Sequence, residues 1–120
     1  MTNVLSIRLP AALERAIGDN AAHSKMPVAE IVRLILEHSI DGQYSFPALR
    51  DIPQSLDAKL DVRLPADLIT RIRAASQRFQ VSISVYSRVI LFAYYTKCLI
   101  FVEIGGRYTL AENHEQKKSA

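Results

Sequence analysis

The chain of 120 residues is too short for large catalytic folds such as α/β barrels and allows one compact domain or two small intertwined ones. Apolar residues make up 49% and charged residues 22%, which is typical of a globular protein rather than a disordered one. The formal net charge of +3 favours an anionic partner, while the single cysteine excludes an internal disulfide and a multi-cysteine metal site. Because residues 1–10 lack the pattern of a signal peptide, we expect a reducing, cytoplasmic setting.

Residues 1–40 predict a strand followed by two helices. Apolar and polar side chains alternate over residues 4–9, which is the pattern of a half-buried strand. Pro10 then marks a helix start, because proline is tolerated at the first helical position, and the apolar spacing changes to the helical period. A second amphipathic helix starts near Pro27.

Residues 59–97 predict the same order of elements after a linker at residues 41–58, which contains one glycine and two prolines. Pro65 follows the second strand as Pro10 follows the first. Ser82 is expected to cap the last helix, because its hydroxyl can accept a hydrogen bond from an N–H group two or three residues later. The linker side chains that we expect to pack against the core are Tyr44, Phe46, Leu49 and Ile52.

The C-terminal segment, residues 98–120, predicts a β-hairpin. Two apolar runs between residues 99 and 110 flank Gly105 and Gly106, which suit a two-residue hairpin turn. Residues 114–120 are expected to be a frayed tail. The adjoining apolar stretch, residues 89–104, is interrupted by a lysine and is too short to cross a membrane, so we interpret it as core and expect no membrane partner.

The two halves are an internal repeat. Shifting the sequence by 55 residues aligns residues 5–36 with residues 60–91 without a gap, and ten of the 32 aligned positions are identical. Each half has one strand and is too small to bury its own apolar face, so we expect the two strands to pair as an antiparallel ribbon over four helices. The identical pairs are Leu5/Leu60, Arg8/Arg63, Leu9/Leu64, Pro10/Pro65, Ala11/Ala66, Leu13/Leu68, Ile17/Ile72, Arg33/Arg88, Ile35/Ile90 and Leu36/Leu91.

Each half resembles a ribbon-helix-helix unit of the Arc/MetJ superfamily, and the chain resembles two such units fused. The resemblance is carried by I-R-L-P at residues 7–10, V-R-L-P at residues 62–65 and V-S-I-S at residues 81–84, ahead of Arg88. It implies a mainly α fold with a two-stranded antiparallel ribbon, in which the halves form an intramolecular pseudo-dimer, plus the C-terminal hairpin. In architecture the chain is similar to relaxosome accessory proteins of conjugative plasmids.

The resemblance implies a function in binding double-stranded DNA. Family members use the outward residues of the ribbon to contact base edges in the major groove, and their chemistry suits this role because arginine can bind guanine and aspartate can accept from cytosine. We expect Ser6 to face Asp61 and Arg8 to face Lys59, and Asp61 either orients an arginine or reads a cytosine. The simpler alternative is a solvated face of an amphipathic ribbon. The positions are Val4, Ser6, Arg8, Lys59, Asp61 and Arg63.

Phosphate contacts are expected where the second helix of each half begins, since exposed N–H groups and the helix dipole favour anions. The second half is the more basic, with seven basic and two acidic residues at 59–97 against four of each at 1–40. We therefore expect asymmetric binding and a non-palindromic site. Family members often have glycine before this helix, where this chain has Lys25 and Gln80. The candidate phosphate contacts are Lys25, Val28, Ser82, Ile83, Ser84, Arg71, Arg73 and Arg78.

Enzyme function is not expected, because the sequence has no catalytic motif, and no catalytic residue, cofactor or metal ligand is assigned. Cys98 is interpreted as a small core residue. Two biological roles are compatible with DNA binding, transcriptional repression and assistance in DNA transfer. The alternative function is a protein-interaction module, like an antitoxin, with weak or no DNA binding. In that case the C-terminal segment would dock a partner or self-associate instead of capping the chain's own core.

Overall fold

The computed structural model describes residues 1–44 and 55–113. Within these residues the protein has four helices and two pairs of antiparallel strands. Phe46, Leu49, Ile52 and the predicted tail at residues 114–120 lie outside the described residues. In chain order the elements are β1 (Thr2–Leu9), α1 (Ala11–Ser24), α2 (Val28–Ser39), β2 (Ala58–Pro65), α3 (Ala66–Arg78), α4 (Ile83–Tyr95), β3 (Leu99–Ile104) and β4 (Arg107–Glu112).

The two predicted ribbon strands pair with each other. β1 and β2 are antiparallel, with Ser6 opposite Asp61 and Arg8 opposite Lys59, and this confirms the predicted pairing. Because side chains alternate along a strand, the apolar residues of the ribbon other than Val4 lie beneath it, against the helices. The buried ribbon side chains are Leu5, Ile7, Leu9, Val62 and Leu64.

The secondary structure repeats with the same offset of 55 residues as the sequence. Helices α1 and α3 begin at Ala11 and Ala66, and α2 and α4 show the same shift. Lys25 and Gln80, the residues before the second helix of each half, both have positive φ angles, 56° and 59°. Both halves therefore make the left-handed turn that glycine favours, although neither has glycine there.

Pro10 and Pro65 precede their helices by one residue instead of starting them as predicted. Each is the N-cap residue, and Pro10 has an extended ψ of 147°. The Pro10 carbonyl accepts from the N–H groups of Leu13 and Glu14 at 3.0 and 3.1 Å. The extended ψ continues the direction of the strand while the carbonyl already belongs to the helix, so a proline connects the two elements without a loop.

One hydrophobic core lies between the ribbon and the helices. It contains the inward faces of β1 and β2 together with the apolar stripes of all four helices. Helices α2 and α4 pack against each other and against the ribbon, and α1 and α3 each contact both of these helices. In the part of the chain that the structure describes, none of the helices has the length and apolar character needed to cross a lipid bilayer.

The C-terminal hairpin is confirmed, with β3 and β4 joined at Gly105 and Gly106, which have positive φ angles of 61° and 79°. Two of its side chains, Leu99 and Leu110, are buried in the same core as the helices. The hairpin contacts α2 and α4. It therefore caps the helical core of its own chain, which was one of the expected alternatives.

Cys98 is exposed, so its interpretation as a core residue is wrong. Lys97, two residues beyond the end of α4, is in a left-handed conformation with a φ of 64°, and the chain reverses there. The backbone of Cys98 is used at this junction, since its N–H donates to Ala93 and its carbonyl accepts from Asn113. The turn directs the thiol outward, next to the Thr96 hydroxyl at 3.5 Å.

A buried polar cluster joins α2, α4 and the hairpin. The hydroxyls of Ser39 and Tyr86 lie 2.8 Å apart, and the Ser39 hydroxyl also donates to the Leu36 carbonyl at 2.7 Å. The Tyr44 hydroxyl lies within hydrogen-bond distance of the Ser39 carbonyl, at 3.1 Å, and the Leu110 carbonyl, at 2.9 Å, and its one hydrogen can be donated to either. Burial raises the pKa of both tyrosines, so they stay neutral donors across the physiological range. The cluster has no symmetry-related copy, because Tyr86 corresponds to Ile31 in the first half.

We expect Tyr86→Phe to lower the free energy of unfolding by about 1 kcal/mol, the contribution of one buried hydrogen bond. The loss is small because the Ser39 hydroxyl keeps its bond to Leu36 and is not left unpaired. Urea unfolding measures this change, and Tyr108→Phe at an exposed ring is the control without effect. Equal stability of the two variants would show that the cluster contributes nothing.

Gln80→Gly is expected to raise the free energy of unfolding by about 0.5–1 kcal/mol, because glycine adopts the positive φ of this turn without steric cost. Ala74→Gly, at an exposed position inside α3, should lower it by about 1 kcal/mol. Thermal or urea unfolding of both variants checks the opposite signs. A loss of stability at both sites would mean that the turn at Gln80 carries no strain.

Candidate nucleic-acid interface

Six side chains form the outward face of the ribbon, called the ribbon face below. All six are exposed, as strand alternation requires when the other face is buried. Half of the Val4 surface is accessible, which is unusual for an aliphatic side chain in a strand. The members of the ribbon face are Val4, Ser6, Arg8, Lys59, Asp61 and Arg63.

An approximate two-fold axis passes through the middle of the ribbon face. Ser6 and Asp61 are equivalent positions of the two halves, 55 residues apart, and they also lie opposite each other in the ribbon. The axis that relates the halves must therefore pass between them. Arg8 and Arg63 are equivalent as well, and because the strands are antiparallel they lie on opposite sides of the axis.

The pair on the axis is bound together. The Ser6 hydroxyl donates to Oδ1 of Asp61 at 2.5 Å, and Nζ of Lys59 lies 3.8 Å from Oδ2. Neither arginine of the ribbon face contacts this carboxylate in the described structure. The hypothesis that Asp61 orients an arginine is therefore wrong for this conformation, because the lysine two residues away on the same strand face and the serine across the ribbon are nearer.

Arg8 and Arg63 project from an ordered backbone without an acidic partner among the described residues. The carbonyl of Arg8 accepts a hydrogen bond from Nη1 of Arg88, at 3.1 Å, which ties this end of β1 to α4. The Arg8 guanidinium itself forms no ion pair within the described residues, and neither does that of Arg63. Both side chains are therefore available to an external acceptor.

The equivalent of Arg88 in the first half, Arg33, has different contacts. It is bound by Glu30 and by Glu37, the latter at 2.5 Å, on its own helix. This hydrogen bonding raises the pKa of Arg33 and lowers that of Glu30. In the first half the Arg33 charge is therefore neutralised by glutamates of the same helix, whereas in the second half Arg88 binds the ribbon backbone.

The starts of α2 and α4 differ in capping. The Ser82 hydroxyl accepts from the N–H of Val85 at 3.1 Å, which confirms the predicted cap. Pro27 caps α2 without a side-chain hydrogen bond. The other candidate phosphate contacts at these helix starts are Lys25 and Val28 beside α2 and Ile83 and Ser84 in the first turn of α4.

The three arginines of α3 are not joined to the ribbon face by any contact described. Arg78 donates to the Ile40 carbonyl just beyond α2 and lies 5.7 Å from the centre of the Phe79 ring. Arg71 lines a cavity of about 440 Å³ together with Asp41 and residues of the hairpin. Arg73 is exposed on the surface of α3. Of the three guanidinium groups, only that of Arg78 has an intramolecular hydrogen bond among the described residues.

The chain matches no family model, no curated protein and no solved structure. The candidate site therefore rests on the geometry above. The described residues contain no group of three or more histidine, cysteine, aspartate or glutamate side chains arranged to hold a metal ion.

Two features of this surface were missed by sequence reasoning. The first is the contact of Arg88 with the Arg8 backbone. The repeat pairs Arg88 with an identical residue, Arg33, but this does not indicate which group an arginine on a helix contacts across the fold. The ion pairs of Arg33 with Glu30 and Glu37 are different, because the spacing of three and four residues on one helix predicts them directly.

Proposed function

We propose that the protein binds duplex DNA sequence-specifically by inserting the β1–β2 ribbon into the major groove, and that its two halves are fused ribbon-helix-helix units. The observation that carries the proposal is the ribbon face, where two equivalent arginines without acidic partners lie on either side of an approximate two-fold axis. A two-stranded ribbon fits the width of the major groove, where every base pair presents a distinct pattern of donors, acceptors and methyl groups.

Four members of the ribbon face have base-edge partners in this arrangement. The guanidinium groups of Arg8 and Arg63 can bind O6 and N7 of guanine in a bidentate manner. Lys59 supplies a further donor for guanine, and Val4 offers apolar contact to the methyl group of thymine. The rigid support beneath Arg8, from the Arg88 hydrogen bond, favours this function because a held backbone limits the conformational freedom lost on binding.

Backbone contacts supply the second part of the binding energy. The N-termini of α2 and α4 have backbone N–H groups that can bind phosphate. Lys25 lies three residues before the start of α2. The net charge of residues 59–97 is +5, from seven basic and two acidic residues, whereas residues 1–40 are neutral. The same activity serves a cytoplasmic repressor and an accessory factor of DNA transfer.

A protein-interaction module is the second candidate, and the outer face of the hairpin favours it. Ile104 is 68% exposed at the hairpin tip and Ile100 is 38% exposed on the same strand. Exposed aliphatic groups of this kind are found at interaction surfaces. This function would leave the ribbon face without a role in specificity.

The experiment that separates the two candidates is selection of a binding site from a pool of random duplexes, followed by binding of the selected and a random duplex. In Arg8→Ala/Arg63→Ala we expect the preference for the selected over the random duplex to fall by about tenfold or more for each arginine removed, because each substitution removes a bidentate contact with a base. Arg15→Ala, at an exposed position on α1, is the matched control and should keep the preference. Weak binding that is indifferent to the double variant would overturn DNA recognition by the ribbon.

The salt dependence of binding is expected to differ between the halves. Arg73→Gln, in the basic half, should reduce the slope of log K against log salt concentration by about one, the amount for one lost phosphate contact. Arg15→Gln, in the neutral half, should change the slope less. Fluorescence anisotropy titrations over a range of salt concentrations measure both slopes, and equal changes would contradict an asymmetric backbone contact.

A further inference from the structure

We infer that the centre of the ribbon face reads an exocyclic amino group, that of cytosine N4 or adenine N6, and that this contact orients the chain on its site in one direction. The inference rests on the proposed function and adds the chemistry of the central base and the polarity of the complex. Three observations carry it: the hydrogen bond between Ser6 and Asp61, the position of this pair on the two-fold axis, and the different residues at the two ends of the ribbon face.

The pair on the axis presents only acceptors. A serine hydroxyl has one hydrogen to donate, and the Ser6 hydroxyl donates its hydrogen to Oδ1 of Asp61. An ionised carboxylate has no hydrogen, so the oxygen atoms of both residues offer lone pairs alone. The donors on the major-groove edge of DNA are the amino groups of cytosine and adenine, whereas O6 and N7 of guanine and O4 of thymine are acceptors that this pair repels.

Contacts within the ribbon make the carboxylate tolerable near DNA. A lone aspartate is repelled by phosphates, but the Asp61 carboxylate is accompanied by the Lys59 ammonium at 3.8 Å and accepts the Ser6 hydroxyl. These contacts occupy part of its accepting capacity, because two carboxylate oxygens have about four lone-pair sites in total. A base amino group can therefore bind without displacing Ser6.

The ends of the ribbon face differ although the two halves are equivalent. On one side of the axis Arg8 lies opposite Lys59, so two cations project together. On the other side Arg63 lies opposite Val4, so one cation is paired with an aliphatic group. Val4 and Lys59 are equivalent positions of the two halves. An aliphatic side chain in one half therefore corresponds to a cation in the other, and here the ribbon face departs most from two-fold symmetry.

The chemistry of the groove then gives a directional site. Every base pair has one amino group on its major-groove edge, on cytosine in one pair and on adenine in the other, and reversing the base pair moves it to the opposite strand. Asp61 lies on β2 and, as the ionised member of the pair, is a stronger acceptor than Ser6 on β1, so the pair distinguishes the two directions. Guanines are expected on both flanks, with a thymine methyl group near the one read by Arg63.

Orientation is tested with an iron chelate that cleaves DNA next to its attachment point. The chelate is attached to a Cys98→Ser/His23→Cys variant, because His23 is exposed at the end of α1 and marks one side of the two-fold axis. On the selected duplex we expect cleavage on one flank only. Cleavage on both flanks, or a palindromic selected site, would overturn the inference and leave the proposed function standing, whereas selection of no site would overturn the proposed function.

The central contact is tested by changing both partners. Replacing the central cytosine by 2-pyrimidinone, or a central adenine by unsubstituted purine, removes the amino group and should weaken wild-type binding about tenfold. Asp61→Asn gains an amide donor and should lose the preference at the centre while keeping the preference for the flanking guanines. Asp19→Asn on α1 removes the same charge away from the ribbon and should behave as wild type.

Two results would contradict the role of the central pair. Unchanged wild-type binding to the duplex without the amino group would show that no acceptor is used there. An equal loss at all positions of the site for Asp61→Asn would show a general electrostatic effect of the charge rather than base recognition. Unfolding midpoints of the Asp61 and Asp19 variants establish that both are folded under the binding conditions.

Discussion

Antiparallel pairing of β1 with β2 is the interaction on which the rest of the structure depends. Each half of the chain contributes one strand to this ribbon, and neither strand has another partner among the described residues. Pairing satisfies the backbone groups along the facing edges of both strands and closes one apolar surface over four helices. Because the partner strand lies in the other half, the halves form one core and neither is expected to be stable alone.

The same pairing builds the candidate site. Antiparallel geometry puts equivalent residues on opposite sides of an axis. An arginine two residues beyond the centre of each strand therefore gives two arginines, one on each side of the centre of the ribbon face. The alternation of side chains makes this face polar for the same reason that it makes the opposite face apolar. The buried face and the candidate site are thus the two faces of one ribbon, and a change of register by one residue would exchange them.

The two halves of the chain make different contacts at equivalent positions. Arg88 supports the ribbon backbone while its equivalent Arg33 is held by glutamates of its own helix, and Tyr86 joins a buried polar cluster where the first half has isoleucine. The hairpin adds a second asymmetry, because it covers the core beside α2 and α4. A homodimer cannot make such differences, since each substitution would appear in both subunits.

Periodicity and the internal repeat were enough to predict the strands, the four helices, the hairpin and the pairing of Ser6 with Asp61, because these follow from local spacing and from the need of a single strand for a partner. The sequence could not place Pro10 and Pro65 at the cap, nor Cys98 at the surface, because both depend on the exact angle at which the chain leaves an element. Side-chain partners across the fold were decided by tertiary structure alone. Arg88 meets the Arg8 carbonyl, and Asp61 meets Ser6 and Lys59 instead of an arginine, because such contacts depend on distances between elements that no spacing along the chain encodes.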